Sequence, residues 1–531
     1  MRDSFRKAIL NISKFGDTDI FPLNFERHVF ADRPEEVITL LEQFHRDFDQ
    51  KINHTPPGFV KTLVPVGYTG FRWATQIEPF WNAYYLALVI EVAQGIEAER
   101  IPVAQRRVFS YRYQYDQQTG KLFSEENWRD YRIRARELAV AHEYVAITDI
   151  SDFYPRIYHH RIDNALRRVP GGEAVRPHLL KILSVFSGRD SYGLPVGGPA
   201  SRVLAELALN DVDHHLESKG IDFCRYADDY TIGAHSKDDA YRALVLLATK
   251  LSYEGLTLQK QKTRVITKQE YLDSIAYFDP LDNPDPAQSA EDRLLSISIR
   301  FDPYSPHAAE DYERLRTALH DIDIVGILGR EVAKASIDQV VAKQAISAVA
   351  SLEPEQRDGA IRTLLDVENV NVLAPVFMSV MRLVRAVYDD LSDASKEYVS
   401  DFLEQLHRSS AHVLSVDVNL AYFVQAIART RSTRKNQVMV DIFDRSHNQM
   451  VRRQVVMGMI ESEGTFWLRE QKGNFANVGE MEKRAILLGS FWLRDEGSHW
   501  RAAVARGLTP EQTLIKEWFS GRWQAGNRSA L

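Results

Sequence analysis

Apolar positions change their period along the chain near residue 275. Before it, short runs such as VAITDI (Val145 to Ile150) and IDFCRYA (Ile221 to Ala227) are β-like, and they alternate with stretches such as Val203 to Leu216, whose apolar residues recur at helical spacing. From about Ala308 onward the β-like runs thin out. Ile337, Val341, Ala345, Ala348 and Leu352 fall at steps of four, four, three and four, which marks one apolar face of a helix. Similar amphipathic segments recur near Leu364, Val380, Phe402, Phe423, Val440, Val456 and Leu487. Between the two textures lies DPLDNPDPAQSAED (Asp279 to Asp292), with three prolines and five acids in fourteen residues, a loop and a domain border. A strand-like LLSISIRF and a second turn, DPYSP, follow it. The pattern predicts a mixed α and β first part and a second part of stacked helix pairs, a solenoid or bundle without a strict repeat. Such helical arrays are more often binding surfaces or scaffolds than catalytic centres.

Composition narrows this picture. At 531 residues, with 44% apolar and 26% charged residues, the chain is ordinary for a globular protein of two to four domains. Its single cysteine, Cys224, excludes an internal disulfide and a cysteine-based zinc site and suits a reducing cytoplasm. No run of about 18 apolar residues occurs, and MRDSFRKAILNISKF lacks the apolar core of a signal peptide, so a cytoplasmic protein with no membrane partner is expected. A formal charge of −7 argues against general nucleic-acid stickiness. Locally the balance reverses. Arg100 to Arg136 holds nine Lys/Arg against four Asp/Glu, interleaved with Phe109, Tyr111, Tyr113, Tyr115, Phe123, Trp128 and Tyr131. That mixture suits a nucleotide or a single strand. A second basic run, Arg429, Arg431, Arg434 and Lys435, reads either so or as a solvated face.

The sharpest chemical signal is RYADDYTIG (Arg225 to Gly233). On an uninterrupted strand one of two successive aspartates points to the core, at a cost unless it is paired. A tight turn at Asp228 and Asp229, between strands Ile221 to Ala227 and Tyr230 to Ala234, presents both together. A solvated turn is the alternative. Upstream, AITDISDFYPRIYHHRI places Asp149 at the end of a short strand and Asp152, Phe153 and Tyr154 just after it. Three carboxylates from two adjacent strands are the oxygen-rich set that two Mg²⁺ ions require for in-line phosphoryl displacement, with Mn²⁺ as the alternative ion. Adjacent histidines, His159 with His160 and His214 with His215, do not share a helix face and read as surface residues rather than metal pairs. The glycines of GLPVGG are not followed by GK[ST], so they form no Walker A loop.

The ordered set resembles a reverse transcriptase palm. Asp149 to Tyr154 matches its first metal-ligand motif, GLPVGGPASRVLAE (Gly193 to Glu206) its second, YADD its third and GLTLQKQKT (Gly255 to Thr263) its lysine-bearing fourth. GDTDIFPLNFE, RWATQIEPFWNAYYLALVI and VFSYRY are further similar to the AbiK-type abortive-infection reverse transcriptases of bacterial phage defence and their prophage-encoded relatives. The resemblance implies an α+β fingers and palm domain over residues 1–290. It implies an all-α, HEAT-like helical-repeat domain over 291–531, in place of a thumb. It also implies an enzyme that adds dNTPs without a template, starts from a protein tyrosine, carries a single-stranded DNA product and works as a homo-oligomer.

Carried over by position, the resemblance implies Asp149, Asp228 and Asp229 as metal ligands and Lys262 as the acid for departing pyrophosphate. Tyr154 corresponds to the steric gate against a ribose 2′-OH; a packed core tyrosine is the other reading. Arg112 is the candidate triphosphate clamp, with Arg72 and Arg107 as rivals, because guanidinium grips phosphate bidentately. Gly197 and Gly198 are expected to let backbone approach nucleotide and base pair. Val196 stands where many templating relatives carry glutamine, which counts against copying. Templated synthesis of retron or group II type, and a non-catalytic nucleic-acid-binding scaffold, are the alternatives. No tyrosine occurs in the first 67 residues to serve as an N-terminal primer.

Overall fold

The strands that carry the acids form one four-stranded antiparallel sheet, because each is short, rich in β-branched and aromatic residues and closed by a turn. In this computed structural model, which describes residues 1–124, 127–276, 294, 322–334 and 336–528, a two-stranded ribbon comes first, β1 (Phe59–Pro65) with β2 (Phe71–Ile77). The sheet follows as β3 (Tyr144–Asp149), β4 (Asp222–Tyr226), β5 (Asp229–Ala234) and β6 (Arg264–Thr267), in the order β4-β5-β3-β6. Alternation along β4 decides its two faces. Cys224 and Tyr226 turn to the helix Asn127–Ala141, in a cluster with Phe109, Tyr131, Leu138 and Val145. Arg225 turns the other way, to Glu206 and Asp213 of the helix Pro199–Ser218.

The chain divides into two compact units. One comprises Met1–Lys61, Ala74–Ala276 and the stretch from Thr509; the other comprises Thr62–Trp73 and the helical region that ends at Leu508. This departs from a single border at 290. The C-terminal helix Pro510–Gln524 belongs with the first unit: Trp518 stacks on Phe25 at 6.3 Å, its Nε1 donates to Asp32 at 2.8 Å, and Arg522 meets the same carboxylate at 2.6 Å. Periodicity identifies an apolar helix face but not the core against which it packs. At the centre of this unit is the helix Pro79–Glu99, apolar on all sides and buried from Pro79 to Ile90, with Glu78 capping it by accepting from the N–H groups of Phe80 and Trp81. No helix among the described residues is long and apolar enough to cross a membrane.

Within the second unit the expected helices are present. All five residues of the Ile337 to Leu352 stripe are buried, although the α-helix proper is only Gln339–Ala348. The helices start where short polar side chains cap them: Asp338, Asp366, Ser392, Ser432 and Asn448 each accept from a first-turn N–H. Alternate helices stack, with Phe377–Val387 against Asp417–Ala428, that against Gln449–Glu461, and that against Glu480–Gly489. The predicted loop Asp279 to Asp292, LLSISIRF and DPYSP lie outside the described residues, apart from buried Leu294. Most of the basic run is paired: Arg429 with Glu461 at 3.0 Å, and Arg434 and Lys435 with Glu404 at 2.5 and 2.7 Å, while Arg431 is exposed.

Candidate active site

Asp149 closes β3 and Asp229 opens β5, and the antiparallel register sets them directly opposite one another. Like charges so placed repel. The turn of the hairpin falls one residue earlier than the sequence suggests. Tyr226 pairs with Asp229, Ala227 and Asp228 form the two-residue loop, and Asp229 is already in the strand. Ala227 takes a φ of 52°, a position where hairpin loops favour glycine, so the turn is strained.

Surrounding backbone holds this turn in place. The Ile150 N–H donates to the Asp228 carbonyl at 3.1 Å, and the Gln259 N–H to the Asp149 carbonyl at 2.7 Å. Beneath it lies a buried ionic network. Arg225, fully buried, donates to Glu206 at 2.9 Å, to Asp213 at 2.5 and 2.8 Å, and to the Ala227 carbonyl at 2.8 Å. Arg100 adds a second cation on Glu206 at 2.6 Å, and Ser110 and Tyr230 complete the hydrogen bonding. Neither Arg225 nor Glu206 was singled out in the sequence; the visible signal was a charged residue inside an otherwise strand-like run.

The carboxylates at the turn are buried and in mutual repulsion. Burial, then Asp149, pushes the Asp228 carboxyl above the ordinary range. Burial, then Asp228 and Asp149, pushes Asp229 up to about 7. Lys262 answers this field, with Nζ 2.5 Å from Asp149 Oδ2. Partial burial pulls its ammonium down, but Asp149, Asp229 and Asp228 outweigh that and raise it. Among the described residues, no three His, Cys, Asp or Glu side chains already converge as a bound metal would draw them. The donor set nevertheless fits a divalent cation: oxygen ligands only, on two adjacent strands, in mutual repulsion that positive charge relieves.

Tyr154 follows Asp149 by a sharp bend at Asp152, whose φ is 48°. Its phenol lies within electrostatic range of Asp228, Tyr111 and Arg202. Arg202 was not predicted, although it stands four residues after Gly198 in the second motif. Its guanidinium reaches Asp19 at 2.5 Å and lies 5.2 Å over the Tyr111 ring. Arg112, by contrast, is unsuited to clamping a triphosphate. It is 6% exposed, and its donors are engaged by the Val108 carbonyl at 2.9 Å, Glu97 at 2.8 Å and the Ile101 carbonyl at 2.7 Å. Its rival Arg107 is held by the Ile221 carbonyl at 2.6 Å, and Arg72 is exposed on β2 within the second unit. Several cations of the basic and aromatic stretch from Arg100 to Arg136 are paired within the fold, with Arg106 on Glu137 at the surface and Arg134 on Asp222.

The glycines also have a different neighbour from the one expected. A Cβ on Gly197, whose φ is +130°, would stand 2.9 Å from Thr18 Oγ1, and one on Gly198 would stand 3.4 Å from the Asp17 carbonyl. Thr75 donates to Val196 at 3.2 Å and Asp19 to Gly197 at 3.3 Å, so the loop is pinned by this chain's own N-terminal segment and β2. Gly197→Ala is therefore expected to destabilise the first unit by about 1–3 kcal/mol through strain and overpacking. Adding Thr18→Gly should restore only the steric part, as urea melts of the single and double variants would reveal.

Of the histidines, His159 is not a surface residue. It is buried, with Nε2 on the Gly193 carbonyl at 2.9 Å. His214 is exposed and bonds the Glu99 carbonyl at 3.0 Å.

Residues 107–279 match the family described as Reverse transcriptase (RNA-dependent DNA polymerase). Over 124 residues the chain is 27% identical to the Retron Ec86 reverse transcriptase of Escherichia coli, an overlap of 23% of this chain and 37% of that one, so the match spans little more than a third of the relative's length. Among solved structures, telomerase from Candida albicans overlaps with a TM-score of 0.31 at 10% identity, over 77% of this chain and 67% of that one. Apo telomerase from Candida Tropicalis overlaps at 0.28 and 11%, over 80% and 72%. Residues 107–279 thus form a reverse transcriptase-like domain, within which Asp149, Asp228 and Asp229 lie.

Proposed function

We propose that this protein is an abortive-infection DNA polymerase of the AbiK type, a bacterial anti-phage enzyme that joins dNTPs without a template and starts from a protein tyrosine. The observation that carries the polymerase reading is the confrontation of Asp149 with Asp228 and Asp229 at one end of the sheet, with Lys262 beside them. Asp149, Asp228 and Asp229 would hold Mg²⁺ or Mn²⁺, which when bound would supply positive charge for attack by a 3′ hydroxyl and loss of pyrophosphate. Asp149, Asp228 and Asp229 hold and orient. Lys262 holds a proton at Nζ for the departing pyrophosphate. Tyr154 sets the sugar specificity, and Arg202 replaces Arg112 as the cation beside it.

Untemplated synthesis is supported by Val196 and by the loop at Gly197, whose close neighbour is Thr18 rather than open space. In the same reading the helical unit is HEAT-like and stands in for a thumb, the product is single-stranded DNA attached to protein, and the enzyme works in the cytoplasm as a homo-oligomer. Templated copying is the second reading, favoured by the identity to the retron enzyme. Purified protein incubated with Mg²⁺ and labelled dNTPs alone decides between them. Label that stays with protein until proteolysis is the expected result. Incorporation that requires an added RNA and primer would replace the first reading with the second.

A further inference from the structure

Most cations of the helical unit are neutralised across helices, as the pairs on Glu404 and Glu461 illustrate. Three are not. Arg72, Lys343 and Arg382 are exposed, and no carboxylate pairs with any of them among the described residues. They come together through the packing of this unit. The ribbon is anchored by Tyr68, whose hydroxyl donates to the Val372 carbonyl and accepts from the Ile337 N–H at 3.4 Å. Arg72 and Arg382 lie within electrostatic range of Lys343, which is carried by the helix Gln339–Ala348; that helix packs on Phe377–Val387, which carries Arg382. Arg382 is steadied 4.9 Å over the Tyr422 ring. Packing around its stem and the repulsion of Arg72 and Arg382 pull the Lys343 ammonium below the ordinary lysine range. Three like charges held together without a counter-charge destabilise the unit by themselves, and a polyanion relieves that repulsion.

Phe71 and Trp73 flank Arg72 along β2, turn by strand alternation to the other face of the ribbon, and are 51% and 56% exposed. Two large rings left in solvent on one face of the ribbon and an unpaired cation on the other suit a flexible strand that passes over the ribbon and offers both phosphates and flat bases. Free phosphate or an acidic peptide would make no use of the rings. We propose that Arg72, Lys343 and Arg382 form a phosphate-binding track for single-stranded nucleic acid on the helical unit, with Phe71 and Trp73 as stacking surfaces for its bases. The choice of ligand rests on the polymerase reading above.

The test is fluorescence anisotropy of a labelled oligothymidylate titrated with full-length protein at several salt concentrations. Each phosphate contact on a single strand contributes about 0.7 to the slope of log affinity against log salt, so Arg72→Gln, Lys343→Gln and Arg382→Gln together should flatten that slope by about 2 and weaken binding about tenfold or more. Trp73→Ala should weaken binding and leave the slope unchanged. Arg72→Lys with Arg382→Lys should keep the slope, which separates charge from fold. A triple variant with unaltered slope and affinity would overturn the proposal, as would wild-type protein that does not bind the oligonucleotide. Incorporation of dNTPs is scored separately. Protein that incorporates nothing yet binds through these cations refutes the polymerase reading alone, and protein that polymerises while binding ignores them refutes the track alone.

Discussion

Exchanging Asp228 and Asp229 for asparagine is expected to reduce nucleotide incorporation to background and, in the same molecule, to make the protein more resistant to unfolding above pH 7. The first effect follows from losing two of the three oxygen ligands. The second follows from the field around them: burial and mutual repulsion raise both carboxyls, Asp229 to about 7. An acid whose folded pKa lies above its unfolded value keeps its proton longer in the folded state. Its contribution to stability therefore falls as pH rises from about 4 to 7. Each pH unit of displacement is worth about 1.4 kcal/mol, so removing the strain should return on the order of 1–3 kcal/mol at pH 8 and little at pH 4. Urea melts of the wild type and the double variant at both pH values measure the difference directly, since other titrating groups are common to the two. A double variant less stable than the wild type at pH 8 would mean that these carboxylates are not in conflict.

The opposite outcome is expected at Arg225. Arg225→Met removes the cation that neutralises Asp213 and shares Glu206 with Arg100, in a place from which water is excluded. Breaking a buried network by one partner leaves uncompensated charge and typically costs about 3–5 kcal/mol. It also releases the Ala227 carbonyl and so the strained turn that presents Asp228. Adding Glu206→Gln and Asp213→Asn removes the orphaned charges, so the triple variant should regain stability but not the geometry of the turn. Chemical denaturation of the three proteins measures the first part, and incorporation by the triple variant the second. A loss below about 1 kcal/mol in Arg225→Met would show that the network has little structural weight.

Much of this architecture is legible along the chain. The strands at Val145 and Asp222, the helix after Gly198, the alternation of two textures and the buried stripe at Ile337 all follow from period and capping, which act over a few residues. Asp149 and the Asp228 and Asp229 pair stand out for the same local reason, since acids at the ends of apolar strands are costly unless they are used. Arg112 misled because composition shows a cation but not its partners. Glu97 and two carbonyls engage each of its three guanidinium nitrogens inside the fold, and only folding brings them to it. Gly197 misled in the same way: the residue type signals a close approach, but that the approaching group is Thr18, nearly 180 residues away in the chain, depends on packing. The placement of the turn at Ala227, the buried Arg225 network, the docking of the last helix on Asp32 and the gathering of Arg72 with Lys343 and Arg382 likewise belong to the tertiary structure. Sequence by itself determined the elements and the chemistry they carry, because both are local. The tertiary structure decided which charges meet, because that depends on contacts between residues that the chain keeps far apart.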